Sequence, residues 1–328
     1  MNAFSQTILR WYSEYGRDLP WRHTRDPYSV WLSEIILQQT RVVQGTDYWY
    51  RFLEKFPTVE SLAGATEDEV LRLWEGLGYY SRARNLHAAA RQIVALGHFP
   101  DTLEGIRALK GVGDYTAAAI GSICFGLPAA VVDGNVYRVL SRYFGIATPI
   151  GTSDAQKEFK SLASRLLPPD DPAAFNQGMM DFGAMQCTPK NPACLSCPLQ
   201  ESCNAFRTGR TALLPVKKAP AAIQTRKLNY VYLRVNGCTA IRRRGPGDIW
   251  QGLWEPYTPS SLPEGDGQII LLRQGVRHQL THRLLLADFY LWELPRRPSL
   301  PDGYIWIKET ELDLYAKPRL FELLLCSL

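Results

Sequence analysis

Leu109-Lys110-Gly111-Val112-Gly113-Asp114-Tyr115-Thr116-Ala117 decides how the first half of this chain is read. Two glycines one residue apart make a tight turn and let another backbone approach closely. The turn opens a helix, whose free N–H groups and positive dipole end can hold a phosphate. A lone Gly-x-Gly is more often a plain helix connector. Downstream lies Val131-Val132-Asp133-Gly134-Asn135-Val136-Tyr137-Arg138, where an acidic residue closes an apolar run just before a helix. Such an aspartate either caps the helix or does chemistry, and in isolation capping is the commoner fate. Further on, Cys187, Cys194, Cys197 and Cys203 are spaced Cys-x6-Cys-x2-Cys-x5-Cys. Four thiolates this close suit a [4Fe–4S] cluster, with zinc as the competing occupant. Disulfides fit poorly. Cys124, Cys238 and Cys326 are scattered singly, and the polar start Met1–Gln6 lacks the apolar core of a secretory signal.

Composition sets wider bounds. A chain of 328 residues predicts about two domains, and 46% hydrophobic residues are ample for packed cores. The net charge of +5 and pI near 8.8 are compatible with a nucleic-acid partner without demanding one. No stretch approaches the roughly 20 apolar residues of a membrane helix. These features predict a soluble, intracellular protein in a reducing compartment, with no membrane partner; a monomer is expected separately, since one chain of this length can enclose its target.

Apolar residues at three- and four-residue spacing predict helices over Phe4–Tyr15, Val30–Val43, Tyr48–Phe56, Glu67–Trp74, Ser81–Leu96, Tyr115–Phe125, Asn135–Phe144, Ser153–Leu167 and Pro172–Met185. Composition then changes. Residues 208–227, with Pro215, Lys217-Lys218 and Pro220, read as a linker. Beyond it, Leu228–Val235, Cys238–Arg243, Gln268–Arg273, Leu284–Glu293 and Tyr304–Lys308 read as strands, and Pro318–Leu325 as a closing helix. The expected organisation is a mainly α domain over 1–207, carrying the cysteine loop 187–203, followed by an α+β domain over 228–328.

Taken together, the Gly111–Gly113 hairpin, Asp133 and the cysteine quartet resemble the helix-hairpin-helix DNA glycosylases. The resemblance covers residues 1–207. It implies that Gly111, Val112 and Gly113 grip the DNA backbone, that Asp133 sits at a flipped-out nucleotide, and that the four cysteines hold a [4Fe–4S] cluster. Two positions refine it. Lyase members such as endonuclease III carry a lysine where this chain has Tyr115, and a phenol cannot form the Schiff base. Glu34, in Trp31-Leu32-Ser33-Glu34-Ile35-Ile36-Leu37-Gln38-Gln39-Thr40, lies within a helical turn of Val30, Trp31 and Leu37. A carboxyl in apolar surroundings holds its proton and can act as a general acid, although an exposed glutamate on an amphipathic helix is the commoner arrangement. This segment resembles the A/G-specific adenine DNA glycosylases, the MutY family. So do Arg17–Arg22, Gly76–Leu86 and Phe175–Met185.

The second domain is similar to that family's Nudix-related recognition domain. Arg242–Glu255 matches its Gly-Leu-Trp region, and no acidic Nudix box for magnesium is present. Arg277-His278-Gln279-Leu280-Thr281-His282 falls where the family has a Phe-Ser-His loop that senses 8-oxoguanine. Leu280 removes an aromatic contact and Thr281 keeps a hydroxyl.

The resemblance implies excision of adenine opposite 8-oxoguanine or G in double-stranded DNA, in a bacterial cytoplasm at the nucleoid. Glu34 would protonate the base. Asp133 would stabilise the oxocarbenium-like sugar or trap it covalently, Asn135 would orient Glu34 or the water, and Tyr115 would pack or hydrogen-bond at the same site. Trp21, Arg22, Leu37, Gln39, Thr40, Tyr79, Gln177, His278, Thr281 and His282 would contact DNA. The alternatives are an endonuclease III-like enzyme on oxidised pyrimidines and a non-catalytic iron–sulfur DNA-binding protein.

Overall fold

The computed structural model describes residues 2–218, 223–263 and 267–328. Residues 219–222 of the expected linker lie outside them. The chain forms two compact units, Met1–Ala63 with Ala88–Ala219, and Gly64–His87 with Pro220–Leu328. Residues 64–87, which the sequence reading keeps within 1–207, therefore cluster with the second unit. Among the described residues, no helix is long and apolar enough to cross a membrane.

The helices run α1 Ala3–Tyr15, α2 Pro27–Ile36, α3 Val42–Lys55, α4 Val59–Gly64, α5 Glu67–Leu73, α6 Ser81–Leu96, α7 Leu103–Ala108, α8 Asp114–Phe125, α9 Gly134–Phe144, α10 Ser153–Leu166, α11 Pro172–Met185, α12 Asn204–Arg207 and α13 Arg319–Leu325. In the first unit, α1, α9, α10 and α11 share a core of Phe4, Ile8, Trp11, Val139, Leu140, Phe159, Phe175 and Phe182. Their apolar stripes recur at helical spacing, so burying them against one another drives assembly.

Helix α2 behaves differently. Asp26 caps it, accepting the Ser29 N–H at 2.9 Å, and Pro27 opens it. Every residue from Tyr28 to Ile36 is buried. The helix stops at Ile36, and Gln39 takes a positive φ of 58°. The expected helix Val30–Val43 is thus two helices with a turn between them. A residue in the left-handed region cannot continue a helix, so Leu37–Thr40 leave the helical path. The hairpin turns as expected: Gly111 has φ 78°, a region glycine enters without steric cost.

The second unit contains two three-stranded sheets. The strands are β1 Gln224–Arg234, β2 Cys238–Arg243, β3 Trp254–Pro256, β4 Gln268–Gln279, β5 Arg283–Glu293 and β6 Tyr304–Lys308. One sheet has the order β1-β5-β4, the other β3-β2-β6. β1 and β5 are parallel, with Tyr230 opposite Phe289, while β4 and β5 are antiparallel. Alternation puts Leu228, Tyr230, Tyr232, Leu285, Phe289 and Leu291 on a face covered by Leu320, Phe321 and Leu324 of α13. β4 continues past the expected Arg273 to Gln279 through two register irregularities. Gly275, at φ 65°, donates its N–H to Asp288 Oδ1 at 2.6 Å there.

Candidate active site

A cavity of about 720 Å³ opens in the first unit. Helix α2 supplies Glu34, and the following turn supplies Leu37, Gln39 and Thr40. The hairpin and α8 supply Gly113 and Tyr115. Asp133 and Asn135 come from the head of α9, Trp21 and Arg22 from a 3₁₀ turn, and Gln177 from α11. Eleven sequence-predicted residues therefore meet at one place. Gly111 and Val112 stay in the hairpin turn, with Val112 buried.

Glu34 is buried because α2 has no solvent face. Desolvation pushes its carboxyl from an ordinary 4.5 up to about 7. A hydrogen bond from Tyr115 pulls it down, the Asp133 charge raises it, and Arg22 lowers it. The Tyr115 hydroxyl also lies 3.4 Å from Met180 Sδ, and burial drives its own pKa well above the usual phenol value.

Asp133 is held quite differently. It is the N-cap of α9. Its Oδ1 accepts the N–H groups of Asn135 at 2.9 Å and Val136 at 2.8 Å, and its Oδ2 accepts Asn135 Nδ2 at 2.8 Å. Burial raises its pKa, and these three hydrogen bonds oppose the rise. The two carboxyls thus differ in environment: one is desolvated with a single hydroxyl partner, the other is bonded by three N–H groups. Such an arrangement separates proton affinities.

Asn135 faces Asp133, where the sequence reading points it at Glu34 or a water. Its Oδ1 accepts from Arg138 Nη2 at 2.8 Å, and Arg138 Nη2 also donates to the Gly183 carbonyl at 2.6 Å. Gly183 permits this contact, because a Cβ there would come within 2.6 Å of Asn135 Cβ.

Trp21 is buried and packs edge-on against Trp49, so it is as much core as cavity wall. Gln177 Oε1 accepts the Tyr12 hydroxyl. Arg22 is pinned to Asp181 through Nη1 at 2.7 Å and Nη2 at 2.9 Å. The sequence reading assigns no role to Arg17, Asp181, Tyr12, Met180 or Arg138. Their partners lie as many as 165 residues away along the chain, and a single sequence carries no signal for such pairs.

The cysteine loop closes on α9. Arg142 Nη1 lies 3.4 Å from Cys187 Sγ, and Arg138 Nε donates to the Cys187 carbonyl at 2.7 Å. Burial raises the Cys187 thiol, and Arg142 and Arg138 lower it. Burial pushes Cys197 up to about 11, with the charges of Cys187, Cys203 and Cys194 adding to the rise. The four thiolates therefore repel one another, and a cationic inorganic core relieves that repulsion. Among the described residues no three His, Cys, Asp or Glu side chains converge tightly enough for a single metal ion. Four cysteine thiolates are the usual ligand set of a [4Fe–4S] cluster, and Cys187, Cys194, Cys197 and Cys203 would hold one here.

In the second unit, Tyr79, His278, Thr281 and His282 line another cavity, of about 880 Å³. The Tyr79 hydroxyl and Thr281 Oγ1 are hydrogen-bonded at 2.5 Å. Trp250 packs against His278. The turn closes with the Leu280 N–H on the Arg283 carbonyl at 2.8 Å.

Comparison with known proteins agrees with this geometry. Residues 32–165 match the HhH-GPD superfamily base excision DNA repair protein, 187–203 the iron-sulfur binding domain of endonuclease III, and 229–326 the NUDIX domain. The chain is 44% identical over 229 residues to the adenine DNA glycosylase of Rattus norvegicus, covering 66% of this chain and 44% of that protein. It therefore spans under half the length of this mammalian relative. It is 37% identical over 255 residues to the adenine DNA glycosylase of Buchnera aphidicola subsp. Schizaphis graminum, covering 77% of this chain and 74% of the relative. The solved structure of a thermostable thymine-DNA glycosylase superposes with a TM-score of 0.57 at 33% identity, covering 62% of this chain and 95% of that one. The chain belongs to the adenine DNA glycosylase family, the A/G-specific MutY family of helix-hairpin-helix DNA glycosylases.

Proposed function

We propose that this protein is a monofunctional adenine DNA glycosylase of base-excision repair, removing adenine opposite 8-oxoguanine or G in duplex DNA. The observation that carries the reading is the pairing, in one cavity, of a buried glutamic acid with a pKa near 7 and a hydrogen-bonded aspartate. Adenine is a poor leaving group as an anion, so the base must be protonated as its bond to the sugar breaks. With a pKa near the working pH, Glu34 is both populated as the acid and strong enough to give its proton up. Asp133, whose cap hydrogen bonds favour its charged form against the pull of burial, faces the cationic sugar. This is the division of labour of a retaining glycosidase. Asn135 fixes the Asp133 carboxylate, and Tyr115 tunes Glu34. Tyr115 has no amine and cannot form the Schiff base of an endonuclease III-like lyase, which sets this reading apart from that enzyme.

The adenine must leave the helix stack, at a cost of a few kcal/mol that is least at a mispair. Leu37, Gln39 and Thr40, on their non-helical turn, fill the vacated stack, while Trp21, Arg22 and Gln177 line the pocket that takes the base. Gly111 and Gly113 present N–H groups to the phosphate backbone, while Val112, whose own N–H is spent on the Leu109 carbonyl at 3.1 Å, holds the turn that aims them. Tyr79, His278, Thr281 and His282 contact the oxidised guanine. Cys187, Cys194, Cys197 and Cys203 hold the [4Fe–4S] cluster, which orders the loop carrying Lys190. The protein acts as a monomer on DNA in a bacterial cytoplasm.

The test is single-turnover cleavage of duplexes containing A opposite 8-oxoguanine, A opposite G and A opposite T, with and without hot alkali. Alkali-dependent breakage at A opposite 8-oxoguanine that spares A opposite T is the expected result. Inactivity of cluster-replete protein on all three duplexes sinks the reading.

A further inference from the structure

Asp181 of α11 has no exposed surface. Its carboxylate accepts from the Arg17 backbone N–H at 2.9 Å, Arg17 Nε at 2.8 Å, Arg17 Nη2 at 2.5 Å, Arg22 Nη1 at 2.7 Å and Arg22 Nη2 at 2.9 Å. That set occupies every lone-pair direction a carboxylate offers. Arg22 Nη1 also donates to the Arg17 carbonyl at 2.9 Å, and the guanidinium lies over the Tyr12 ring at 5.5 Å. Arg17 and Arg22 both line the cavity that holds Glu34.

An arginine beside a buried glutamic acid is a hazard to acid catalysis. A bidentate guanidinium–carboxylate pair is among the strongest charge-assisted contacts available, and it keeps the carboxyl ionised. Among the described residues Glu34 makes no ion pair, although it lies in the field of Arg22. Both Nη groups of Arg22 are already committed to Asp181. We infer that Asp181 is a positioning residue: it withholds the Arg22 guanidinium from Glu34, so that a cation can stand at the cavity wall without neutralising the acid. The inference rests on the reading of Glu34 as the proton donor. The plainer role for Asp181 is to tie α11 to the turn before α2.

The two roles separate in a titration of Glu34 itself, followed by carbon-13 NMR of carboxyl-labelled glutamate in the cluster-replete protein without DNA. The other titratable groups facing Glu34 are Tyr115 and Cys124 from α8 and Asp133 at the head of α9, and all three stay unaltered. In Asp181→Asn the freed Arg22 reaches Glu34, and the Glu34 midpoint falls by more than one pH unit, a loss of at least tenfold in proton affinity. Adding Arg22→Met to Asp181→Asn returns the midpoint to the unaltered value or above. The basic limb of single-turnover excision moves with it. A tie between elements alone lowers stability and rate at every pH and leaves the midpoint in place. An unmoved or raised midpoint in Asp181→Asn, or a double variant that is not restored, overturns the inference. Should Asp181→Asn not fold, Arg22→Met decides. The midpoint then rises by less than one unit when Arg22 acts through space only, and a rise of one unit or more means that Arg22 already pairs with Glu34, which also overturns it. Absence of adenine excision by the unaltered protein counts against the functional reading, whereas the clamp is read by the titration directly.

Discussion

Replacing Glu34 by glutamine has a consequence that needs no substrate to observe. The carboxyl titrates near 4.5 when the chain is unfolded and near 7 when it is folded. A raised folded-state pKa means that the native protein binds this proton more tightly than the unfolded chain. The effect on stability is absent below about pH 4.5, grows as the pH rises from 4.5 to 7, and is complete above pH 7. The shift of about 2.5 units, at about 1.4 kcal/mol each, makes the ionised glutamate cost the fold about 3 kcal/mol at pH 8. Glutamine is neutral at every pH, is close in shape, and avoids the cost. Glu34→Gln is therefore expected to abolish excision while stabilising the protein, by little at pH 5 and by about 3 kcal/mol at pH 8. A domain of this size gains about 2–4 °C per kcal/mol, so the melting temperature of the cluster-replete variant should exceed that of the parent by on the order of 6–12 °C at pH 8 only. Equal increments at the two pH values, or none at pH 8, would show that Glu34 is not the strained group inferred from its burial.

Tyr115→Phe removes the one hydroxyl that lowers the Glu34 pKa. A hydrogen bond to a charged group is worth about 1.5–3 kcal/mol, so the basic limb of the single-turnover pH profile should move up by at least about one unit, and an unmoved limb refutes that coupling. Asp133→Asn keeps an N-cap acceptor for α9 and removes the charge. Its melting temperature should stay close to the parent's while excision falls by about 100-fold or more, and Asp133→Ala should lose about 1 kcal/mol of stability as well. Thr281→Ala breaks the 2.5 Å bond to Tyr79. A hydrogen bond of about 0.5–1.5 kcal/mol predicts a loss of up to about tenfold in the preference for A opposite 8-oxoguanine over A opposite G, measured by competing the two duplexes in one reaction.

Much of the first unit is legible in sequence because its helices are amphipathic. Ser81–Leu96 and Pro172–Met185 have the same bounds in pattern and in structure, since an apolar stripe, joined in the second case by the Asp171 cap at its head, leaves few alternatives. The break after Ile36 was not legible. Apolar spacing continues through Val43, and only the positive φ of Gln39 ends the helix. The three-residue β3 is also invisible to pattern, being defined by its ladder to β2, with Arg243 opposite Trp254. At the cavity, sequence places Glu34 among apolar neighbours but cannot tell an amphipathic helix from one buried all round. That distinction depends on α3 and α8 closing over α2. The bond from Asn135 to Asp133 spans two residues and was within reach, since asparagine two places after a capping aspartate is local chemistry. The clamp of Arg17 and Arg22 on Asp181 spans about 160 residues and exists only once α11 lies against the first turns of the chain.

The two carboxyls show how one fold gives opposite tasks to like groups. The bonds that cap α9 are structural by any reckoning, because they satisfy N–H groups that a helix leaves free at its start. The same bonds oppose the rise that burial imposes on the Asp133 pKa. Glu34 sits in the middle of its helix, where the backbone N–H groups are spent on the helix itself, so burial meets only the Tyr115 hydroxyl and the distant charge of Arg22. Position along a helix therefore gives the two carboxyls different hydrogen-bond support for their charge. Moving Glu34 to a helix head, or Asp133 into a helix interior, would exchange their proton affinities without changing either residue type. The chemistry proposed here accordingly depends less on the presence of two carboxyls than on which one the backbone caps.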